Sequence, residues 1–371
     1  MQMNSFVESI IKRDKQQFHE DNELHGLKVL NNHNITPVIA DFTEYSPLHN
    51  GHLFCMQEAK RLHPEALFVA VIPGLFERNG RGLPYIMTRH KRAQLAISLG
   101  ADIAVEGPPM GIMGSGQYSL CLSLMFKALN ADFIPRGYIS DDPQFKSILD
   151  YINEGNGVAP KPYKIISLED KKVLLEGKLS NDDYVIVSLA KSLTKIGFDF
   201  RNKFIFVPRL ENVSGTKIRE IVTNGQVDNL NDMLPQETID LLKEEISLEH
   251  APLHDTRANS LLLHNVNSFT KEELSRLNLI DEQTVENILL NRPFTDVDEL
   301  LSNITQGFST HRKQRILSIL EVGIFKDEVH KYINSYPQTI RVLGYKNNEV
   351  LKKFEQNLKN NLKGDNGKVW Q

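Results

Sequence analysis

Residues 37–54 read PVIADFTEYSPLHNGHLF, and the fold turns on what the chain does halfway along this stretch. PVIADF is a short apolar run that predicts a buried strand, and HLFCMQEAKRLHPEA (52–66) carries apolar residues at helical spacing. SPLHNGH, between them, therefore turns the chain from strand into helix. A helix N-terminus offers unpaired backbone N–H groups and partial positive charge, which suits phosphate. His49 and His52, three apart, project from one side of that first turn. Each imidazole can donate hydrogen bonds to phosphate oxygens, most strongly as charge builds up in nucleotidyl transfer. Gly51 leaves the backbone open to a close-lying nucleotide. Such a site could displace pyrophosphate from a nucleoside triphosphate. Two blander readings stand beside it: a zinc site, for which no third ligand lies at suggestive spacing, and a structural histidine pair.

Outward from this junction the same alternation repeats. LFVAVIPG (67–74), DIAVEGPP (102–109), DFIPRG (132–137) and FIFVPRL (204–210) read as further strands. TRHKRAQLAISLGA (88–101), closed by Gly100, SLCLSLMFKALNA (119–131) and DDYVIVSLAKSLTKIG (182–197) read as helices. Continuous apolar strands alternating with helices predict a parallel sheet covered on both faces, with ligands bound beyond the strands' carboxyl ends. Residues 1–34 read as a charged helical leader with the apolar stripe Phe6, Ile10, Ile11 and Phe18. Residues 35–225 form the α/β domain. In residues 226–371 short helical periods with acidic first turns replace the strands. QTIRVLGY (338–345) reads as a lone strand there, ahead of the basic helix NEVLKKFEQNLKNNLK (348–363).

At 371 residues the chain has room for two domains, and its 40% apolar and 24% charged residues are ordinary for a globular protein. It has no run of 18 apolar residues, so no membrane span is expected. Two cysteines, Cys55 and Cys121, supply neither a disulfide framework nor a zinc site, and the cytoplasm is the expected compartment. The net charge of −4 is unevenly spread. Residues 226–310 hold 16 acidic and 5 basic side chains, and residues 309–371 hold 6 acidic and 12 basic. The basic end suits either a nucleic-acid footprint or a solvated helical surface.

HNGH after a strand resembles the signature of the nucleotidyltransferase superfamily that includes class I aminoacyl-tRNA synthetases and pantetheine-phosphate adenylyltransferases. EYSPLHNGHLF further resembles the opening of the bacterial tRNA(Met) cytidine acetate ligases. RAQLAISLGADIAVEGPP, SNDDYVIVSLAKSL, VPRLENVSGTKIRE, STHRKQRILSIL and IRVLGY resemble later pieces of that family in the same order. The resemblance runs over about residues 36–355 and leaves the leader as an addition.

What the resemblance implies is a Rossmann-like nucleotidyltransferase domain followed by a mostly helical C-terminal region. It also implies a two-step ligation. ATP and acetate give acetyl-adenylate and pyrophosphate, and the acetyl group passes to N4 of a cytidine in elongator tRNA(Met). ATP would contact Glu44, Tyr45, Ser46, Pro47, Leu48, His49, Asn50, Gly51 and His52, then Gly137, Asn181 and Arg209, and finally Ser214 and Thr216. His49 and His52 would be the catalytic pair, and Mg²⁺ would arrive bridged by the triphosphate. From the residues alone, Asn181 also suits a helix cap, Arg209 a surface ion pair, and Ser214 or Thr216 the cap of a second helix. A small-molecule adenylyl- or cytidylyltransferase, or a non-catalytic nucleotide- or RNA-binding protein, would share the same triphosphate features. GLFERNGRGLPY (74–85) reads as a mobile lid or a substrate-binding loop over the site, and it departs from the family pattern, as does PRGY (135–138). Arg78 and Arg81 in that loop, with Arg312, Lys313 and Arg315, are the candidate RNA contacts.

Overall fold

The computed structural model describes residues 3–30, 32–253, 256–307 and 311–363, with side chains described for all of these except 181, 182 and 363. A two-residue strand β1 (Lys28–Val29) pairs antiparallel with β11 (Leu362–Lys363). The apolar runs form the expected strands. β2 (Val38–Phe42), β3 (Leu67–Ile72) and β4 (Ile103–Glu106) are parallel, in registers Val38↔Leu67 and Val69↔Ile103. β5 (Ile134–Tyr138) and β9 (Phe204–Pro208) are parallel, with Ile134 opposite Phe204. A bridge at Ile39 and Phe133 joins the two sets, so the order across the sheet is β10-β4-β3-β2-β5-β9. The chain grows outward from β2 in one direction, then returns to lay β5 on its other side. The switch between β2 and β5 opens a crevice at their carboxyl ends, where this fold class binds ligands.

Strand side chains alternate between two apolar layers. Val38, Ala40, Val69, Val71, Ile103 and Val105 face α4 (Ser115–Ala128), α6 (Asn181–Lys195) and the C-terminal helices. Ile39, Phe68, Ala70, Ile72 and Ala104 face α2 (Asn50–Leu62), α3 (Arg89–Ser98), α7 (Gly215–Thr223) and α8 (Gln236–Ser247).

The leader residues form a helix, α1 (Met3–Asn22), and its Val7, Ile11 and Phe18 lie in the main core, Phe18 stacked on Tyr332 at 4.8 Å. Three expectations need correction. Residues 338–345 are no lone strand: β10 (Val342–Tyr345) pairs antiparallel with β4 and extends the main sheet. A small antiparallel sheet of β6 (Val158–Lys161), β7 (Lys164–Ser167) and β8 (Val173–Glu176) follows α5 (Pro143–Asn153), where the sequence suggested no strand.

The third correction is the 74–85 loop, which is clamped rather than a mobile lid. Phe76 and Glu77 have φ of 71° and 47°, a conformation costing roughly 1–2 kcal/mol per non-glycine residue. Asp14 of α1 holds the turn by accepting from Phe76 N at 2.7 Å and from both terminal nitrogens of Arg89 at 2.8 and 3.0 Å. Glu77 accepts from Arg89 and Arg92, and Arg89 Nε lies 2.6 Å from Glu106. Arg92 also donates to the carbonyl of Glu44 at 2.8 Å, so the network reaches the crevice wall.

Among the described residues no helix is long and apolar enough to cross a membrane. The C-terminal helices start where the acidic first turns suggested. Thr270, Asp281 and Asp296 each accept from the backbone N–H three residues on.

Candidate active site

The HNGH turn is built on an unusual cap. His49 is the N-cap of α2, and its Nδ1 accepts from His52 N at 3.3 Å. His52 Nδ1 in turn accepts from His49 N at 3.4 Å. This reciprocal pair does the work of a capping box, with imidazole nitrogens in place of hydroxyl and carboxylate oxygens. Because each Nδ1 accepts, the proton of each neutral ring sits on Nε2. The rings stack with centroids 3.5 Å apart and planes 14° from parallel. Both Nε2–H groups therefore leave the turn as fixed donors. Burial, with Arg209 and Arg219 nearby, pulls His49 down to about 3. Burial, His49 and the same arginines hold His52 well below its ordinary value. At neutral pH the pair is uncharged, and it gains no repulsion from close stacking.

Gly51 also answers to the ring beside it. A Cβ there would come within 3.2 Å of His49 Cε1 and Nδ1. The glycine makes room for the ring.

The second signature lies opposite. Ser214 caps α7 through its Oγ, which accepts from Lys217 N at 3.4 Å. Gly215 follows, and a Cβ on it would be 3.8 Å from His49 Nε2 and 3.4 Å from Arg219 Nη1. Two helix N-termini, α2 and α7, thus converge on one place, with His49 Nε2 between them. Arg219 donates to Thr216 Oγ1 at 3.1 Å. Arg209 continues the β5–β9 pairing by donating from its N to Tyr138 O at 3.0 Å. Glu44 faces Arg81 and Arg219, which hold its carboxyl down while burial, the larger effect, raises it.

The other expected residues divide. Gly137 is exposed near the end of β5, where a Cβ would lie 4.0 Å from Val207 O. Asn181 opens α6, and its side chain lies outside the described residues. Tyr45 and Leu48 are fully buried. Tyr45 donates to Asp41 at 3.2 Å, Ser46 Oγ accepts from Ile86 N at 2.9 Å, and Leu48 O accepts from Thr238 at 3.0 Å. Pro47 is buried with them, and Asn50 donates to Asp232 O at 3.1 Å and Met233 O at 3.0 Å. These contacts hold the loop in shape.

Arg78 is not an RNA contact. It is 1% exposed and forks onto Glu321, with Nε and Nη2 donating at 3.0 and 2.7 Å. Arg312 pairs with Asp281, Lys313 donates to Leu301 O at 3.0 Å, and Arg315 donates to Gly80 O at 2.6 Å. The expected basic cluster is therefore largely spent on joining the C-terminal helices to each other and to the 74–85 loop. Arg81 is half-buried and faces Glu44.

Sequence reasoning missed Arg136, Asp41 and Arg219. Arg219 was in plain view, three residues after Thr216 on a helix, the spacing that brings side chains together. Arg136 sits within an apolar strand and gives no local signal.

Residues 35–119 match the family described as HIGH Nucleotidyl Transferase, and residues 140–344 match the Cytidyltransferase-related C-terminal region. The chain belongs to the HIGH nucleotidyltransferase family. It is 43% identical to "uncharacterized protein MJ0951" of Methanocaldococcus jannaschii, over 83% of this chain and 85% of that one. It is 24% identical to the tRNA(Met) cytidine acetate ligase of Acetivibrio thermocellus, over 83% and 82% of the two chains. The fold matches that of Thermotoga maritima TmcAL, in a crystal structure bound with alpha-thio ATP, with a TM-score of 0.70 and 20% identity over 88% of this chain and 84% of that one. Within the family the chain is a divergent relative of the tRNA(Met) cytidine acetate ligases.

Proposed function

We propose that this protein is an ATP-dependent ligase that activates acetate as acetyl-adenylate and acetylates N4 of a cytidine in tRNA, elongator tRNA(Met) by resemblance. The observation that carries the nucleotide half is the reciprocal cap: His49 and His52 present two Nε2–H donors beside the N-terminus of α7. In the first step a carboxylate oxygen of acetate attacks the α-phosphorus. The α–β bridging bond breaks, and pyrophosphate leaves with its electron pair. His49 and His52 donate to the phosphate oxygens as negative charge builds on them. Backbone N–H groups at Gly215 and Thr216, with Ser214, Arg209 and Arg219, take the departing phosphates. Gly137 and Asn181 border the nucleoside, and Glu44 orients Arg219. Tyr45, Ser46, Pro47, Leu48 and Asn50 act by holding the loop.

In the second step the cytidine N4 attacks the acetyl carbonyl, AMP leaves, and N4 gives up a proton. Mg²⁺ would arrive with the ATP substrate and would offset the charge of its triphosphate. Among the described residues there is no group of three histidine, cysteine or acidic side chains suited to holding a metal. Support for acetate and tRNA comes from the relatives named as acetate ligases. The test is ATP–pyrophosphate exchange with Mg²⁺, with and without acetate, with CTP in a parallel arm. Nucleoside analysis of tRNA incubated with enzyme, ATP and acetate then looks for N4-acetylcytidine. Acetate-dependent exchange with ATP and appearance of that base are expected. Exchange that ignores acetate, or that prefers CTP, would instead mark a small-molecule nucleotidyltransferase.

A further inference from the structure

β2 and β5 touch at Ile39 and Phe133 and then part, which would leave the carbonyl of Phe42 without a strand partner. Arg136 spans the gap. Its Nη1 donates to Phe42 O at 2.7 Å and lies 3.4 Å from Asp41 Oδ1. The residue is 8% exposed. Its Nε and Nη2 are closed off from bulk solvent, and neither has a hydrogen-bond partner among the described residues. Asp41 does not turn to them, because its other oxygen accepts from Thr43 at 2.9 Å and Tyr45 at 3.2 Å.

A buried guanidinium edge with no acceptor is costly. Arg78 uses the same two nitrogens, Nε and Nη2, to grip both oxygens of Glu321. That pair shows what fits such an edge: a carboxylate, held by two parallel bonds. The empty edge lies in the crevice where the sheet reverses, one residue before the exposed Gly137. The Phe126 ring, with its centroid 5.9 Å from the guanidinium carbon, adds an apolar wall on the scale of a short alkyl group.

We infer that the Nε/Nη2 edge of Arg136 is the seat for the carboxylate of the acid that this enzyme activates, a short-chain monocarboxylate. The inference rests on the acid-activation reading above. Seated there, the acid is charge-paired and held near the carboxyl ends of β2 and β5, and its attack on the α-phosphorus needs no further base because it is already ionised.

The test uses the full chain with Arg136→Lys and Arg136→Gln, both of which keep a donor for Phe42 O. Binding of [1-¹³C]acetate without nucleotide is read from its ¹³C line width, and acetate-dependent exchange gives KM values for acetate and ATP. Thermal melting and ATP titration establish that each variant is folded. Acetate broadening with the wild type and its loss in both variants are expected. So is a KM for acetate raised by ~30-fold, the scale of a charge-assisted bidentate contact, with KM for ATP within about twofold. Acetate-dependent exchange with the same acetate KM in wild type and variants would overturn the seat and leave acid activation standing. Acetate binding that needs Arg136, in an enzyme without acetate-dependent exchange, would support a carboxylate site and sink the acid-activation reading. A joint rise in both KM values with a lowered melting temperature would reduce Arg136 to a strut between two strands and overturn the inference.

Discussion

The loop after β3 and the crevice between β2 and β5 are built from the same side chains and treat them oppositely. Behind the loop, Arg89 meets Asp14, Glu77 and Glu106, Arg92 meets Glu77 and three carbonyls, and Arg78 meets Glu321. Charge there is closed on itself. In the crevice Arg136 keeps an edge without a partner among the described residues, and Arg219 and Arg209 lie near two neutral histidines. The difference separates the scaffold from the proposed site: a buried cation whose acceptors are all supplied holds the fold, and the acid seat proposed above is the edge that has none.

The largest effect should fall on the closed side. Glu77→Ala strands Arg89 and Arg92 without one of their buried partners, which costs about 3–5 kcal/mol. Denaturant unfolding should show that loss. A change below about 1 kcal/mol would mean the network relaxes freely, and the contrast between the two regions would weaken.

On the open side the loss should be kinetic. His52→Ala should lower the exchange rate by about 10²–10³-fold with little change in ATP affinity, because its donor strengthens in the transition state. Equal losses in ATP binding and rate would make His52 a ground-state contact. Its loss as a cap partner, about 1 kcal/mol, is separable by melting.

How far this contrast can be read from the sequence depends on distance along the chain. β2, β3 and β4 were legible because each is an apolar run bounded by proline or glycine. β8, half exposed throughout, gives no such run. The pairing of β10 with β4 joins residues more than 230 apart, and local pattern does not encode it. Arg78 looked like a loop cation because Glu321, its partner, lies 243 residues away. HNGH was legible as a turn with two histidines. Their mutual capping was not, because the residues that usually cap helices are Ser, Thr, Asp and Asn.

The neutral histidines also predict how stability responds to acid. His49 falls from 6.5 to about 3 on folding. Between those values the unfolded chain binds the proton and the folded chain does not, so this contribution falls as pH drops below 6.5. The slope is up to about 1.4 kcal/mol per pH unit. Asp41 and Glu44, raised by burial, pull the other way above the ordinary carboxylate range. His49→Asn isolates the effect, since asparagine caps a helix without titrating. The variant should lose less stability than the wild type between pH 6.5 and 5. Parallel pH curves would mean that His49 titrates alike in the folded and unfolded chain.

The smallest effect is the most discriminating for the site itself. Gly51 is the second residue of α2, where alanine is favoured over glycine by up to about 1 kcal/mol. The added Cβ would press on the His49 ring from 3.2 Å, a gap that the ring must widen by tilting. Gly51→Ala should therefore leave stability level or slightly raised while turning the His49 Nε2–H away from Gly215. The measurement is exchange kinetics beside a melt. A fall of roughly tenfold in kcat at unchanged ATP KM, the scale of one weakened transition-state hydrogen bond, fits a glycine that seats the ring. A raised KM at unchanged kcat fits the other role, a backbone kept bare for the nucleotide. The helix gains in either case, so a drop in activity cannot be put down to unfolding, and the geometry of two imidazoles is left as the cause.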